Sequence, residues 1–377
     1  MIATLLAAAA LAAWAWLLIA QGGFWRARER DTVPLPDPPR WPEVVAVVPA
    51  RDEAAVIGRT VASLAAQDYP GAFRIVLVDD GSSDGTAALA RAAAGPDRLA
   101  VLAGAPLPPG WTGKLWAVRQ GIAAAGAPRY LWLTDADIAH APDTLRTLVA
   151  RAEAGGLTLV SLMARLRCRS LAERALVPAF VFFFQMLYPF ARVNRPGRTA
   201  AAAGGCMLVD REALARAGGI EAIRGALIDD CALGALMKRQ GPIWLGLTTR
   251  AVSIRAYDDW RAVAAMIARS AYAQLGYSPF ALAGTLAGLA LVYAVPPALA
   301  LAGHGPARLL AAAAWLAMAL AFQPTLRFYR RSPLWGLALP AIAAFYAGCT
   351  LASALAYWRG RGGMWKGRAQ AAAGRAA

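Results

Sequence analysis

Asp135 and Asp137 stand one residue apart in the run WLTDADI, Trp132 to Ile138, where an apolar stretch that reads as a buried strand stops at two carboxylates. At a spacing of two, side chains point to the same side of an extended chain. Two hard oxygen donors so placed suit Mg2+ or Mn2+ carrying a diphosphate, and such an ion neutralises the diphosphate when it departs as a leaving group. Other polar residues share this position at the end of an apolar run. Arg51, Asp52 and Glu53 follow EVVAVVPA (43–50), and Asp79 and Asp80 close FRIVLVDD (73–80). The two aspartates of VDDGSSDGT lie where carboxylate hydrogen bonds could read a uracil and its ribose, and Lys114 in GWTGKLWA can bring positive charge to phosphates. A last acidic pair, Asp229 and Asp230, lies in GALIDDCALGALMKRQG.

The elements that must position these side chains read as α/β over residues 43–278. The runs 43–50, 73–80 and 130–137 are rich in Val, Leu and aromatics, as expected of strands buried on both faces. AAVIGRTVASLAAQ (54–67) has apolar residues at helical spacing, and SSDGTAALARAAA opens with Ser and Asp as capping material before an alanine-rich helix. Strands alternating with helices predict a mostly parallel sheet, in which ligands bind outside the carboxyl ends of the strands. The charged groups at these strand ends should therefore converge on one crevice, which is tolerable only if a cation or hydrogen-bond donors sit among them. Two familiar phosphate sites are excluded. No G-x-G-x-x-G follows the first strand, and in PPGWTGKLW the first P-loop glycine is Pro108 and the metal-binding Ser or Thr is Leu115.

Composition adds a membrane. The chain has 377 residues, of which 58% are hydrophobic, and its mean hydropathy of +0.43 is too apolar for a purely soluble protein. Residues 2–20 carry no charge, are long enough to cross a bilayer and are followed by Arg26, Arg28 and Arg30, so residues 1–25 read as an uncleaved anchor with the next domain in the cytoplasm. Residues 26–42, with five prolines between Asp31 and Pro42, read as an extended spacer. Apolar blocks at about 279–303, 307–324 and 334–357 form a C-terminal membrane region (279–358). Arg327, Arg330 and Arg331 between the second and third blocks, and the basic tail 359–377, both ask for the cytoplasmic side. Three full spans cannot satisfy both, so one block, with Pro340 and Gly348 in the last, is expected to be re-entrant or interfacial. The segment 175–191, ALVPAFVFFFQMLYPFA, is read as an interfacial element broken by Pro178 and Pro189, because a crossing there would part Asp135 and Asp137 from Asp229 and Asp230.

The net charge of +16 suits anionic headgroups and anionic substrates, while the scatter of the basic residues argues against nucleic acid. Four cysteines without a C-x-x-C pair, and only two histidines, give no zinc pattern.

In this order and spacing, VVPARDE, VLVDDGSSDGT, TGKLWA, LTDADI and IDDCALG resemble the inverting glycosyltransferase family 2. The flanking apolar segments, PPGWTGKLWA and SAYAQLGYSP resemble more narrowly its hopene-associated subgroup. The likeness covers about 43–278 closely and the C-terminal membrane region loosely. It implies a GT-A fold, a Rossmann-like nucleotide-diphospho-sugar transferase domain. It implies that Pro49, Ala50, Asp52 or Glu53, Asp79 and Asp80, with Ser82, hold the nucleotide, that Asp135 and Asp137 hold diphosphate and metal, and that Asp230, beside Asp229, is the base. A base is also required by the chemistry: inverting transfer to a hydroxyl needs one carboxylate to take the acceptor's proton. Position alone leaves a second explanation for the pair, since acids at a helix N-terminus are favoured by the macrodipole. Gly204 and Gly205 in GRTAAAAGGCMLVD would let backbone approach an acceptor, or let a strand pack tightly. The relatives' Q-x-x-R-W or R-x-x-R-W is not reproduced, since Arg269 has no following tryptophan, which argues against processive polymer synthesis. Trp365 to Arg368 resembles a tail motif of lipid glycosyltransferases, near the donor phosphates or at the headgroups. The expectation is a plasma-membrane, multi-pass transferase that moves a sugar from a nucleotide diphosphate to a lipid hydroxyl, with a hopanoid or other polyisoprenoid acceptor. Diacylglycerol, ceramide or carotenoid acceptors, and an inactive scaffold of a lipid-making complex, are the alternatives. The sequence leaves the sugar and the oligomeric state open.

Overall fold

The computed structural model describes residues 1–365 and 368–371, so Lys366 and Gly367 of the tail motif lie outside the described residues. The chain forms two compact units, one of residues 29–167 and 192–256, the other of 1–28, 168–191 and 257–377.

The first unit is α/β. Its strands are β1 (Val44–Ala50), β2 (Phe73–Asp79), β3 (Leu99–Ala103), β4 (Tyr130–Leu133), β5 (Ile138–His140), β6 (Leu159–Arg165), β7 (Met207–Asp210) and β8 (Ile243–Ser253). They make one eight-stranded sheet in the order β3-β2-β1-β4-β7-β6-β8-β5. β1 pairs in parallel with β2 and β4, β2 with β3, and β6 with β8, while β7 runs antiparallel to both its neighbours and β5 antiparallel to β8. All seven residues of β1 are buried, which explains its unbroken apolar run VVAVVPA. The chain runs out from β1 to β2 and β3 on one side and to β4 on the other, so the ends of β1, β2 and β4 share the reversal point where open α/β sheets bind ligands.

Helix Gly113–Ala124 packs on β1 and β2. Its Gly121 is required for that approach, because a Cβ there would stand 2.4 Å from Val47 Cγ1. Thr112 caps this helix by accepting the Leu115 N–H at 3.4 Å. The helix after VDDGSSDGT begins at Thr86 with Gly85 at the capping position; Asp84 still takes the Thr86 N–H, at 3.1 Å. The spacer is less detached than its prolines imply. Leu247 N–H donates to the Glu29 carbonyl at 2.8 Å, and buried Asp31 accepts from Thr248 Oγ1 at 2.5 Å and pairs with Arg250 at 3.2 Å.

The second unit is helical among the described residues up to Arg361. Among the described residues five helical segments are long and apolar enough to cross a membrane: Ile2–Ile19, Leu171–Val193, Pro279–Ala302, Gly305–Phe328 and Leu339–Trp358. Pro178 does not break the segment expected to be interrupted there. The helix Leu171–Leu187 continues through it, held at its start by a capping box between Ser170 and Glu173 and along one face by burial of Ala172, Ala175, Ala179 and Phe182. Phe182 packs at 5.3 Å from Phe24 and 5.1 Å from Phe322 and is fully buried, so it faces the interior of this unit. Pro189 acts as expected, the helix ending two residues earlier. The third apolar C-terminal block, Leu339–Trp358, is one continuous helix through Gly348. The first is interrupted by a π-turn, Ala290–Ala294, just before Pro296 and Pro297, which cannot donate to the preceding turn.

Candidate active site

The acids at the ends of β1 and β2 are knitted to each other. Ser82 Oγ accepts the Asp52 N–H at 2.9 Å and donates to Asp79 Oδ1, while Asp52 Oδ1 accepts the Ser83 N–H at 2.9 Å. Asp52 has φ +47°, a left-handed conformation that this lacing holds in place. Arg51 donates to the Asp80 carbonyl and lies 3.5 Å from its carboxylate, and the Asp80 N–H donates to the Ala50 carbonyl at 2.8 Å. Pro49 and Ala50 pair in register with Val78 and Asp79. Pro49, Ala50, Asp52, Asp79, Asp80 and Ser82 therefore form one rim. Glu53 leaves it: both of its carboxylate oxygens lie 2.6 Å from Arg255 Nη2.

Asp135 and Asp137 do not lie on an extended strand. β4 ends at Leu133, the chain turns, and the Ile138 N–H donates to the Asp135 carbonyl at 3.3 Å. The two acids consequently meet different cations. Asp135 Oδ1 is 2.8 Å from Lys114 Nζ, whereas Asp137 Oδ2 accepts from Arg255 Nε at 2.8 Å and lies 3.4 Å from Ser253 Oγ. Burial raises the Asp137 carboxyl above the usual range; Arg255 opposes the shift, and Asp135 and Glu53 add to it.

Lys114, in the first turn of helix Gly113–Ala124, also reaches Asp229 Oδ2 at 3.0 Å. Burial alone would lower its ammonium; Asp135 and Asp229 outweigh that and hold it above its ordinary value. Asp229 and Asp230 open the helix Asp229–Lys238, as the macrodipole favours. That explanation does not cover all that Asp230 does. Its Oδ1 accepts the Cys231 N–H at 2.7 Å, but its Oδ2 crosses to the Gly204 N–H at 3.0 Å. Burial and the neighbouring Asp229 push its carboxyl up to about 6, against the pull of Lys114 and these two N–H groups. A Cβ on Gly204 would stand 3.3 Å from Lys114 Nζ and 3.5 Å from Asp230 Oδ2. A hollow bordered by Pro49, Lys114, Leu133, Asp135, Gly204 and Asp229 joins the β1 and β4 ends to the helix start.

Among the described residues no group of three or more His, Cys, Asp or Glu side chains is placed to hold a metal. As carboxylates Asp135 and Asp137 are the hard oxygen donors that a divalent ion takes beside a diphosphate and water, but in this structure Asp135 faces Lys114 and Asp137 faces Arg255. Arg255 was not among the residues the sequence singled out. It lies just past β8, and only the pairing of β8 with β5 and β6 brings it to Asp137 and Glu53. Thr134 and His140 were not singled out either: Thr134 closes an apolar run beside the more conspicuous Asp135, and His140 stands between two alanines.

Residues 39–252 match a family model described as glycosyltransferase like family 2. No curated protein matches the chain. Among solved structures, the mannosyltransferase PcManGT from Pyrobaculum calidifontis, in complex with GDP-Man and Mn2+, aligns over 93% of this chain and 99% of its own with a TM-score of 0.59 and 22% identity. Glucosyl-3-phosphoglycerate synthase from Mycobacterium tuberculosis aligns over 62% of this chain and 80% of its own, TM-score 0.40, 20% identity. Mannosyl-3-phosphoglycerate synthase from Rubrobacter xylanophilus aligns over 66% and 76%, TM-score 0.38, 19% identity.

Proposed function

The chain belongs to glycosyltransferase family 2, whose model it matches over more than half its length, and from that premise we propose that it moves a sugar from a nucleotide diphosphate to the hydroxyl of a membrane lipid, with inversion at the anomeric carbon. The observation that carries the reading is Lys114, which lies within 3.0 Å of Asp135 on one side and of Asp229 on the other and so joins the first acid of the D-x-D to the helix-start acids at one point. Donor phosphates and acceptor hydroxyl must meet at such a point for an in-line displacement.

In this reading the rim from Pro49 to Asp52 and from Asp79 to Ser82 receives the nucleotide, with its polar groups already tied down. Asp135 and Asp137 would hold a divalent ion with the diphosphate, and such an ion would supply neutralising charge there. Asp230, in its ionised form, accepts the acceptor's proton as the hydroxyl oxygen bonds to the anomeric carbon, and the bond from that carbon to the diphosphate oxygen breaks with its electron pair leaving on the diphosphate. Gly204 N–H fixes the carboxylate's orientation. Lys114 keeps Asp229 charge-compensated, so Asp230 is the acid of the pair whose proton affinity is set for uptake. The Pyrobaculum mannosyltransferase, of the same fold, was solved with GDP-Man and Mn2+, which accords with this choice of donor and ion.

A lipid acceptor is supported by the five apolar helices in the same chain. The likeness to the hopene-associated subgroup favours a polyisoprenoid-derived lipid and a site facing the cytoplasm. Helix Leu171–Leu187 is assigned to the membrane interface, because strands on both sides of it in sequence, β4 and β7, pair in one sheet that a crossing would have to divide.

The full chain in lipid nanodiscs tests the base. Asp230→Asn is expected to cut release of nucleoside diphosphate from UDP- and GDP-linked hexoses about a hundredfold while donor binding survives; Asp229→Asn should cost less. Equal, mild effects of both would return the pair to helix capping alone.

A further inference from the structure

The Asp230 carboxylate accepts two backbone N–H groups, that of Cys231 in its own helix and that of Gly204 from another segment, and what holds Gly204 is visible on either side of it. Upstream, Ser161 Oγ accepts the Ala203 N–H at 2.8 Å and lies 3.2 Å from the Ala203 carbonyl. Downstream, Thr134 Oγ1 donates to the Gly205 carbonyl at 2.8 Å and lies 2.9 Å from His140 Nε2. A hydroxyl has one proton. If it goes to Gly205, the Thr134 oxygen must accept from His140, so the ring carries its proton on Nε2. Its Nδ1 is buried without a hydrogen-bond partner among the described residues. Burial pushes His140 down to about 3, so the ring is neutral and carries a single proton, which the Thr134–Gly205 bond places on Nε2. The ring packs against Trp132 in a T-shaped contact with centroids 4.6 Å apart, and the His140 backbone is fixed by its N–H donating to Ser63 Oγ at 3.0 Å. Thr134 and His140 are 2% and 6% exposed, so the chain of bonds is shielded from water, where each bond counts for more.

We infer that Thr134, oriented by His140, is a positioning residue that acts through Gly204–Gly205 to aim the Asp230 carboxylate at the acceptor. It stands immediately before Asp135, so a single side chain ties the D-x-D turn to the loop that presents the base. The inference rests on the reading of Asp230 as the base. A residue acting this way changes the chemical step rather than donor affinity, because the donor contacts the residues of the rim and the D-x-D.

The test compares Thr134→Val and Thr134→Ser, each in the native background and with Asp230→Asn, using the full chain in nanodiscs of total bacterial lipid extract and radiolabelled UDP- and GDP-linked hexoses. Calorimetric donor binding gives the fraction of competent protein to which turnover is normalised, so loss of folding is separated from loss of chemistry. Thr134→Val keeps the shape and removes the hydroxyl; it is expected to lower kcat about tenfold with donor KM changed by no more than about twofold. Thr134→Ser is expected to restore kcat, and Thr134→Val to add nothing once Asp230 is Asn. A rise in donor KM that accounts for the loss would overturn the inference in favour of an effect through Asp135, as would a tenfold loss that persists in the Asp230→Asn background. Unchanged turnover in Asp230→Asn alone would instead remove the base assignment, and this inference with it, whereas a strong Asp230→Asn effect with a silent Thr134→Val would remove only the inference.

Discussion

At the scale of single residues, the proposed function requires one carboxylate among several to act as the base. Asp229 and Asp230 are adjacent and open the same helix, yet Asp229 pairs with Lys114 while Asp230 is buried against Asp229 and raised to about 6. An Asp whose proton affinity is raised in this way is protonated, and inactive as a base, below that value. Turnover should therefore fall as pH drops through about 6 and level off above it, and the same limb should be absent from donor binding, which calorimetry across pH 5 to 8 can check. An acidic limb shared by binding and turnover would place the titrating group among the donor contacts. Asp137→Ala, by contrast, should abolish metal-stimulated turnover and weaken Mn2+ binding, measured by electron paramagnetic resonance on the purified chain. Wild-type turnover of that variant after chelator treatment would contradict the metal assignment. The gathering of Pro49, Ala50, Asp52, Asp79 and Ser82 on one rim, and of Lys114 with Asp135 and Asp229, was legible in the sequence, because residues in short motifs at strand and helix ends keep their neighbours. The D-x-D geometry was not: an extended chain puts both acids on one side, and the turn after Leu133 sends Asp135 to Lys114 and Asp137 to Arg255. Arg255 carries no local signal at all, since its partners lie more than a hundred residues away.

At the scale of elements, the site depends on how closely helix Gly113–Ala124 lies on β1, because that helix carries Lys114. Gly121 sets the approach. Gly121→Ala would drive a Cβ into Val47, whose strand is buried on both faces and cannot yield, so a loss of about 1–3 kcal/mol is expected in chemical denaturation of the full chain in detergent. A stability unchanged by the substitution would show that the helix can slide without cost. The alternating pattern of strands and helices made the sheet readable, but not its order. β7 enters antiparallel between β4 and β6, and nothing in MLVD marks it as different from a parallel strand. Pro178 misled for a related reason: propensity at one position is overridden when a capping box and a buried helix face act together.

At the scale of the whole molecule, the chain joins a nucleotide-sugar type fold to helices apolar enough for a bilayer. If helix Leu171–Leu187 lies in the interface, single cysteines at Arg174 and Arg192, in a chain whose four native cysteines are replaced, must both react from the same side of sealed vesicles. Labelling of one from each side would mean a true crossing and would contradict the interfacial assignment. The long apolar helices were legible because length and lack of charge suffice to mark them; how many cross a membrane was not, because the basic groups at Arg327 to Arg331 and in the tail make conflicting demands on an odd number of C-terminal spans. The proposed reaction carries sugar from a nucleotide to a lipid. Its most direct test supplies radiolabelled UDP- and GDP-linked hexoses to the full chain in nanodiscs of total bacterial lipid extract, then separates the products between water and organic solvent. Label is expected to enter the organic phase in a reaction that needs a divalent ion and is lost in Asp230→Asn; label recovered only as free sugar or water-soluble glycoside would contradict the account.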